Sequence, residues 1–164
     1  CSYIMKQTKK HSPEDTVSAT YGDLKVTLTA CQPSQKDRKI FGTEESDALQ
    51  PFGEYWRMGA NEASEITFSE NVSFGGKQVD AGKYRIYAYP GEENFTLILN
   101  TEVDSWGATA PGEENDVVKV KAATYPLSPN VETFKISLNP AEGGLLLQGE
   151  WAEYGFETTI RSAQ

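Results

Sequence analysis

Apolar and polar residues alternate along most of this chain, and that two-residue period is the strongest constraint on its fold. In residues 24–31, Leu24, Val26, Leu28 and Ala30 alternate with polar neighbours. A period of two places successive side chains on opposite faces of a strand, and no segment shows the 3.6-residue period of a helix. We therefore predict an all-β domain, a β-sandwich or jelly-roll-like fold of about nine or ten short, mostly antiparallel strands. The last four predicted strands span residues 117–122, 132–139, 144–151 and 155–161.

One stretch interrupts the alternation. Residues 51–63, the central block, read Pro-Phe-Gly-Glu-Tyr-Trp-Arg-Met-Gly-Ala-Asn-Glu-Ala. A strand does not require this mixture of Trp, Arg, Asn and Glu between glycines, so the block is either a ligand site or a rigid plug. The predicted ligand-binding residues are Trp56, Arg57, Asn61, Glu62, Tyr87 and Tyr89, and a predicted structural motif comprises Arg38, Phe41, Gly42, Gly59 and Ala60.

Each residue of the central block has two interpretations. The indole of Trp56 is either a core anchor or a platform on which a sugar or another ring stacks. The planar guanidinium of Arg57 either pairs with an acid such as Glu62 or Glu54, or reaches an anionic ligand. Gly59 needs little room, so the backbone is expected to pack closely there.

The motifs in this region resemble the bacterial "domain of unknown function 2911" family. The resemblance is carried by Arg38-Lys39-Ile40-Phe41-Gly42, the central block, Ala81-Gly82-Lys83-Tyr84 and the segment from Asn100 to Trp106-Gly107, and it runs from Val17 to Ile160. It implies a secreted or envelope-facing bacterial β-sandwich and no particular activity. The chain departs from the family pattern at Cys31 and in an acidic insert, Thr43–Gln50.

The N-terminal residues predict an attachment to the cell envelope. A chain that starts at Cys1 is typical of a bacterial lipoprotein after its signal peptide has been cleaved, and acyl chains on Cys1 would anchor it to a membrane. Residues 1–14 then form a flexible tether and residues 15–164 a single domain. We expect the protein at the outer membrane or facing the periplasm. The two cysteines permit one disulfide, Cys1–Cys31, but lipidation would consume Cys1. We therefore favour an unpaired Cys31 with no catalytic role, on the polar face of its strand.

Composition excludes several classes of function. The formal net charge of −9 argues against nucleic acid as a partner, since phosphate backbones require a basic surface. His11, the only histidine, lies in the tether, which leaves no base for a Ser-His or Cys-His mechanism and no His/Cys cluster for zinc. We expect no metal and no cofactor.

Three functions remain open. The favoured one is a non-catalytic module that binds a carbohydrate, a peptide or an envelope protein at the central block. The second is a structural or assembly role in which the block is scaffold. The third is a hydrolase that uses a pair of carboxylates.

Overall fold

Eleven strands make up most of the computed structural model, which describes residues 14–59, 63–103 and 110–163. The strands are β1 (Glu14–Tyr21), β2 (Leu24–Cys31), β3 (Phe41–Gly42), β4 (Gln50–Pro51), β5 (Ser64–Phe68), β6 (Val72–Phe74), β7 (Lys77–Val79), β8 (Gly82–Tyr89), β9 (Asn94–Asn100), β10 (Asp116–Ala141) and β11 (Gly144–Ser162). Two single turns of 3-10 helix, Glu44–Ser46 and Glu113–Asn115, are the helical elements of the described residues. The prediction of an all-β fold with mostly antiparallel strands is confirmed.

Nine of the strands form one sheet, in the order β1-β2-β5-β8-β9-β10-β11-β6-β7. Within it β8, β9, β10 and β11 are consecutive antiparallel neighbours, and the β6–β7 hairpin is added beyond β11. β1 lies at one end of the strand order and yet contacts β10 and β11. The sheet therefore folds over on itself into a sandwich-like arrangement. β3 and β4 form a separate parallel pair.

A single hydrophobic core lies between the folded halves of the sheet. In β2, Leu24, Val26 and Leu28 are at most 1% exposed, as their alternation predicts. The same cluster takes in inward-facing residues of β5, β6 and β8 to β11. Burial of alternate residues on every long strand is the main source of stability, at about 25 cal/mol per Å² of apolar surface.

The prediction of short strands at the C-terminal end is wrong, since β10 and β11 run for 26 and 19 residues. β10 continues through residues 124–131, where a break between strands was expected. It does so because the register with β11 shifts between Pro126 and Val131 and again between Val131 and Lys135. On β11, Ala152 pairs with Val131 and has a left-handed φ of 54°. Such bulges bend a strand without ending it.

The prediction of an unpaired Cys31 on a polar face is also wrong. Cys31 is 2% exposed and is disulfide-bonded. The chain has two cysteines, and the other, Cys1, lies outside the described residues. The face of β2 that alternation assigns to solvent is covered at this end of the strand, because the central block passes against the Cys31 backbone at Gly59.

The N-terminal predictions fall largely outside the described part of the chain, which begins at Glu14. The predicted tether, residues 1–14, and lipidation of Cys1 therefore stay predictions. No helix among the described residues is long and apolar enough to cross a membrane.

Candidate functional site

The central block is fixed to the sheet through its backbone. β5 pairs with β8 only as far as Ser64, opposite Ile86. Beyond that point Trp56 takes over the vacant edge of β8: its N–H donates to the Ala88 carbonyl at 2.8 Å, and the Ala88 N–H donates back to the Trp56 carbonyl at 2.9 Å. The block thus continues the strand pairing where β5 has ended, and the side chains on either side of Trp56 are held in register with β8.

The side chain of Trp56 lies in the centre of the core. It is 1% exposed. Its ring stacks on Trp151, with 6.2 Å between ring centroids, and meets Phe41 and Phe134 edge-on at 5.2 and 5.1 Å. Aromatic pairs at these distances and angles add to the free energy of burial. With both faces covered, the indole offers no surface on which a ligand could stack, and its surroundings are those of a core anchor.

Phe41 and Arg38, from the predicted structural motif, have defined contacts. The Phe41 ring lies against Trp56 and also meets Phe95 edge-on, with 5.2 Å between centroids. Arg38 is exposed, and its guanidinium donates to the backbone carbonyls of Gln35 and Ser34 at 2.9 and 2.7 Å. Phe41 is therefore part of the aromatic core, and Arg38 holds the loop that leads to it.

Two glycines of the predicted motif lie in tight surroundings. Gly42 is buried, and a Cβ there would come within 2.6 Å of the Lys39 side chain. Gly59 has a φ of 152°, and a Cβ there would come within 2.7 Å of the Cys31 carbonyl oxygen. The close packing predicted at Gly59 is present. Ala60, Asn61 and Glu62 lie outside the described residues.

On the outer face of β8, away from the core, a cluster of tyrosines and arginines meets the central block. We call it the outer cluster, and its members are Tyr55, Arg57, Arg85, Tyr87 and Tyr89. An Arg85 Nη2 hydrogen bond to the Tyr55 hydroxyl, 2.7 Å long, joins the block to β8. The Tyr87 ring lies 5.4 Å from Tyr55 and 5.9 Å from Tyr89, centroid to centroid. Three of the predicted ligand-binding residues, Arg57, Tyr87 and Tyr89, are therefore in one cluster, whereas Trp56 points to the opposite side.

Members of the outer cluster differ in how far solvent reaches them. Arg85 and Tyr87 are 2% and 1% exposed, so they form the buried layer of the outer cluster. Tyr55, Arg57 and Tyr89 are half-buried and form its surface. Tyr87 was predicted to contact a ligand, but its ring is covered and its hydroxyl donates to Asp116 Oδ1 at 2.8 Å. Tyr87 therefore belongs to the buried layer of the outer cluster and not to its exposed surface.

Burial governs the ionisation of these side chains. Burial is the main cause that raises the pKa of Tyr55, against the opposing effects of Arg85 and Arg57. The pKa of Tyr87 is raised by burial first and then by its hydrogen bond to Asp116. Both hydroxyls are therefore neutral at physiological pH. Burial lowers the pKa of Arg57, yet a guanidinium remains charged.

Comparison with known proteins settles the family. A family model described as "Protein of unknown function (DUF2911)" matches residues 12–160. The chain belongs to the DUF2911 family. Searches of the curated proteins and of the solved structures returned no significant match. In this DUF2911 protein the match extends over the central block and both faces of β8, so the core anchor and the outer cluster lie within the family domain.

A polar network ties the DUF2911 outer cluster to the loop after β9. Asn100 is fully buried, and its Nδ2 donates to Asp116 Oδ1 at 2.8 Å and to the Gly112 carbonyl at 3.0 Å. The Gly112 N–H in turn donates to Glu102 Oε2 at 2.7 Å. Asp116 thus accepts hydrogen bonds from both Tyr87 and Asn100, which fixes the loop against the underside of the cluster.

Sequence reasoning missed Tyr55, Arg85, Asn100 and Asp116. A signal for Arg85 was present, since it alternates with Tyr87 and Tyr89 on the same face of β8. Asp116 carries no such signal, because its contact with Tyr87 joins residues 29 positions apart. No group of three or more His, Cys, Asp or Glu side chains suited to a metal ion occurs among the described residues.

Proposed function

We propose that this DUF2911 protein is a non-catalytic binding module of the bacterial cell envelope that holds a carboxylate-bearing ligand at the outer cluster. The observation that carries the proposal is the state of Arg57. Its guanidinium is half-buried, and within residues 14–59, 63–103 and 110–163 no carboxylate or carbonyl accepts a hydrogen bond from it. A charge that is partly removed from water without an acceptor is costly, so an anion bound there would offset that cost.

A carboxylate is the anion carried by acidic forms of the carbohydrate and peptide partners that the sequence predicts. The guanidinium presents its N–H groups in a planar fork that matches the two oxygens of a carboxylate. Tyr55 lies beside Arg57, and Tyr89 lies beside Tyr55 and Tyr87. Both rings are half-buried, and such rings cover the apolar face of a sugar or of a peptide side chain. An acidic saccharide or a peptide carboxylate has both features, which narrows the carbohydrate or peptide partner expected from the sequence.

The disulfide of Cys31 supports the envelope as the compartment. Structural disulfides form and persist in oxidising compartments such as the bacterial periplasm. The sequence has two cysteines, so lipidation of Cys1 is proposed only for molecules in which Cys31 is not in this disulfide. A sulfur atom cannot be both a thioether to a lipid and half of a disulfide, so a lipidated Cys1 and a Cys1–Cys31 bond exclude each other in one molecule.

A specific observation favours the structural role for one residue of the block. Trp56 is in the core and is paired with Ala88 through two backbone hydrogen bonds. The side of the block that faces the core therefore contributes to the fold through Trp56. This contribution is independent of any ligand at the outer cluster. The two roles are compatible, because Trp56 and Arg57 point in opposite directions.

The experiment that tests the proposal is calorimetric titration with acidic ligands. We would titrate the purified domain with uronic acid oligosaccharides and with peptides that carry Asp or Glu, and repeat each titration with neutral counterparts. We expect acidic ligands alone to bind, and Arg57→Gln to abolish binding while the melting temperature stays within a few degrees of wild type. The matched control is Arg161→Gln, an exposed arginine on β11 that donates to the Glu142 carbonyl.

A second variant separates ligand binding from internal pairing. If Glu62 is the ordinary partner of Arg57, Glu62→Gln removes the competing carboxylate and acidic ligands bind more tightly. If the protein binds neutral ligands equally well, or if Arg57→Gln leaves the affinity unchanged, the outer cluster is not a carboxylate site.

A further inference from the structure

The sheet splits where β11 leaves β10, and the split forms a groove. β11 pairs with β10 up to Glu157, opposite Ala123, and then leaves it to pair with β6 from Ile160 onward. The β6–β7 turn follows β11, since the Gly75 N–H donates to the Thr159 carbonyl at 2.8 Å. The first residues of β10 are thus left facing β7 across a cavity of about 500 Å³.

Lysines dominate the lining of this cavity, which we call the lysine groove. Its lining residues are Gly75, Lys77, Thr96, Lys119, Val120 and Lys121. Lys119 and Lys121 are two positions apart on β10 and therefore share a face, and Thr96 is the direct cross-strand partner of Lys121. Lys77 reaches across from β7, with its Nζ donating to the Lys119 carbonyl at 2.8 Å.

The charge of the groove is opposite to that of the molecule. The protein has 24 acidic and 15 basic residues, yet three lysines converge here. Among the described residues the ion pair that is resolved joins Lys83 to Glu65, and none engages Lys77, Lys119 or Lys121. Three exposed ammonium groups around one concavity repel one another, and an anion between them would relieve that repulsion.

We propose that the lysine groove is a binding site for a phosphate group. Each lysine ammonium is a compact point charge with three N–H donors, and lysine binds phosphate in this way in many proteins. The fixed Nζ of Lys77 keeps two N–H donors for the ligand, and the Thr96 hydroxyl supplies a further hydrogen bond. The groove adjoins the outer cluster on the same face of the sheet, since Thr96 pairs with Tyr89 of the outer cluster and with Lys121 of the groove, but its charged groups are lysines. The phosphate belongs either to a soluble phosphorylated molecule or to a lipid headgroup.

Two arms of one experiment identify the source. We would titrate the ¹⁵N-labelled domain with inorganic phosphate and pyrophosphate and follow the amide shifts of residues 75–77 and 119–121 by NMR. In parallel, we would measure co-flotation with vesicles of phosphatidylglycerol and with vesicles of neutral phosphatidylcholine. Shifts confined to these residues indicate a soluble phosphate as ligand. Selective flotation with phosphatidylglycerol indicates a headgroup.

Lysine variants test whether the lysine groove is the site at which phosphate binds. Each of Lys77→Gln, Lys119→Gln and Lys121→Gln should weaken binding about fivefold and the triple variant about a hundredfold, given the usual contribution of a lysine near a phosphate. Lys135→Gln, an exposed lysine farther along β10, should leave phosphate binding unchanged. Melting curves establish that the Lys77→Gln protein is folded.

Two results would overturn the proposal. One is full binding by the folded triple variant, or loss of phosphate binding in Arg57→Gln alone, either of which would place the anion elsewhere. The other is the absence of both amide shifts and flotation in wild type at low ionic strength, where electrostatic attraction is strongest.

Discussion

Replacement of Gly59 by alanine tests how closely the central block packs on the sheet. The new Cβ would come within 2.7 Å of the Cys31 carbonyl oxygen, closer than a carbon and an oxygen can approach without repulsion. That oxygen cannot easily move away, because Cys31 pairs with Glu14 of β1 and is held by its disulfide. The φ of 152° at Gly59 is also unfavourable for any residue with a Cβ. Gly59→Ala should therefore destabilise the fold through both strain and overlap.

A second glycine in the same block supplies the control. Gly53 has a φ of 82°, and a Cβ there would meet nothing within 4 Å. Gly53→Ala should cost about 1–2 kcal/mol, the usual penalty for a left-handed residue with a Cβ. Gly59→Ala adds the overlap, about 1–3 kcal/mol for overpacking, so its total should be about 2–5 kcal/mol.

Urea unfolding followed by circular dichroism measures the difference. Both variants should keep the slope of the wild-type transition, since each unfolds the same surface, and Gly59→Ala should have the lower midpoint. Equal midpoints for the two variants would refute the close approach of the block to β2, and with it the way the block is positioned over the sheet.

Three further predictions concern the core, the pH dependence and the disulfide. Trp56→Ala should lower the free energy of unfolding by about 3–5 kcal/mol, and Trp56→Phe should lower it by clearly less. Urea titrations measure both, and equal losses in the two variants would argue against a packed indole. The pKa of Tyr87 is raised by burial first and then by its hydrogen bond to Asp116. The stability that Tyr87 contributes to the fold is therefore fully present below about pH 10, where an unfolded tyrosine ionises, and is lost as the pH rises above that value. The urea midpoint should therefore fall with rising alkaline pH, less steeply in Tyr87→Phe, and an equal slope would contradict this. Cys31 should resist thiol reagents in denaturant until a reductant is added, as followed by mass spectrometry; labelling before reduction would show that it is unpaired.

The strands could be predicted from sequence because their signal is local. The alternation in β2 and β8 follows directly from which side chains the sheet buries, and the β1–β2 turn coincides with Gly22. The continuity of β10 could not be predicted in this way. It depends on a bulge opposite Ala152, on a partner strand that lies later in the chain.

The candidate site could be predicted only in part, for a related reason. Composition singled out Trp56 and Arg57 together, but it does not say which of two adjacent side chains faces the core. That choice is made by the bridge between Trp56 and Ala88, a long-range contact. Alternation likewise assigned Tyr87 to the outer face of β8, where the loop after β9 then covers it through Asp116.

Trp56 and Arg57 are adjacent in sequence and point in opposite directions, which bears on the use of tryptophan fluorescence to detect ligand binding. Arg57 reaches the outer cluster, while the preceding indole is enclosed by Phe41, Phe134 and Trp151. Any ligand that moves the backbone of Arg57 also changes the surroundings of the adjacent indole, and the emission of a stacked indole responds to small changes in its neighbours. For ligands that do so at the proposed site, the difference in intrinsic fluorescence between wild type and Trp56→Phe reports binding without a label; the difference is needed because the chain has three tryptophans and Trp151 stacks on Trp56.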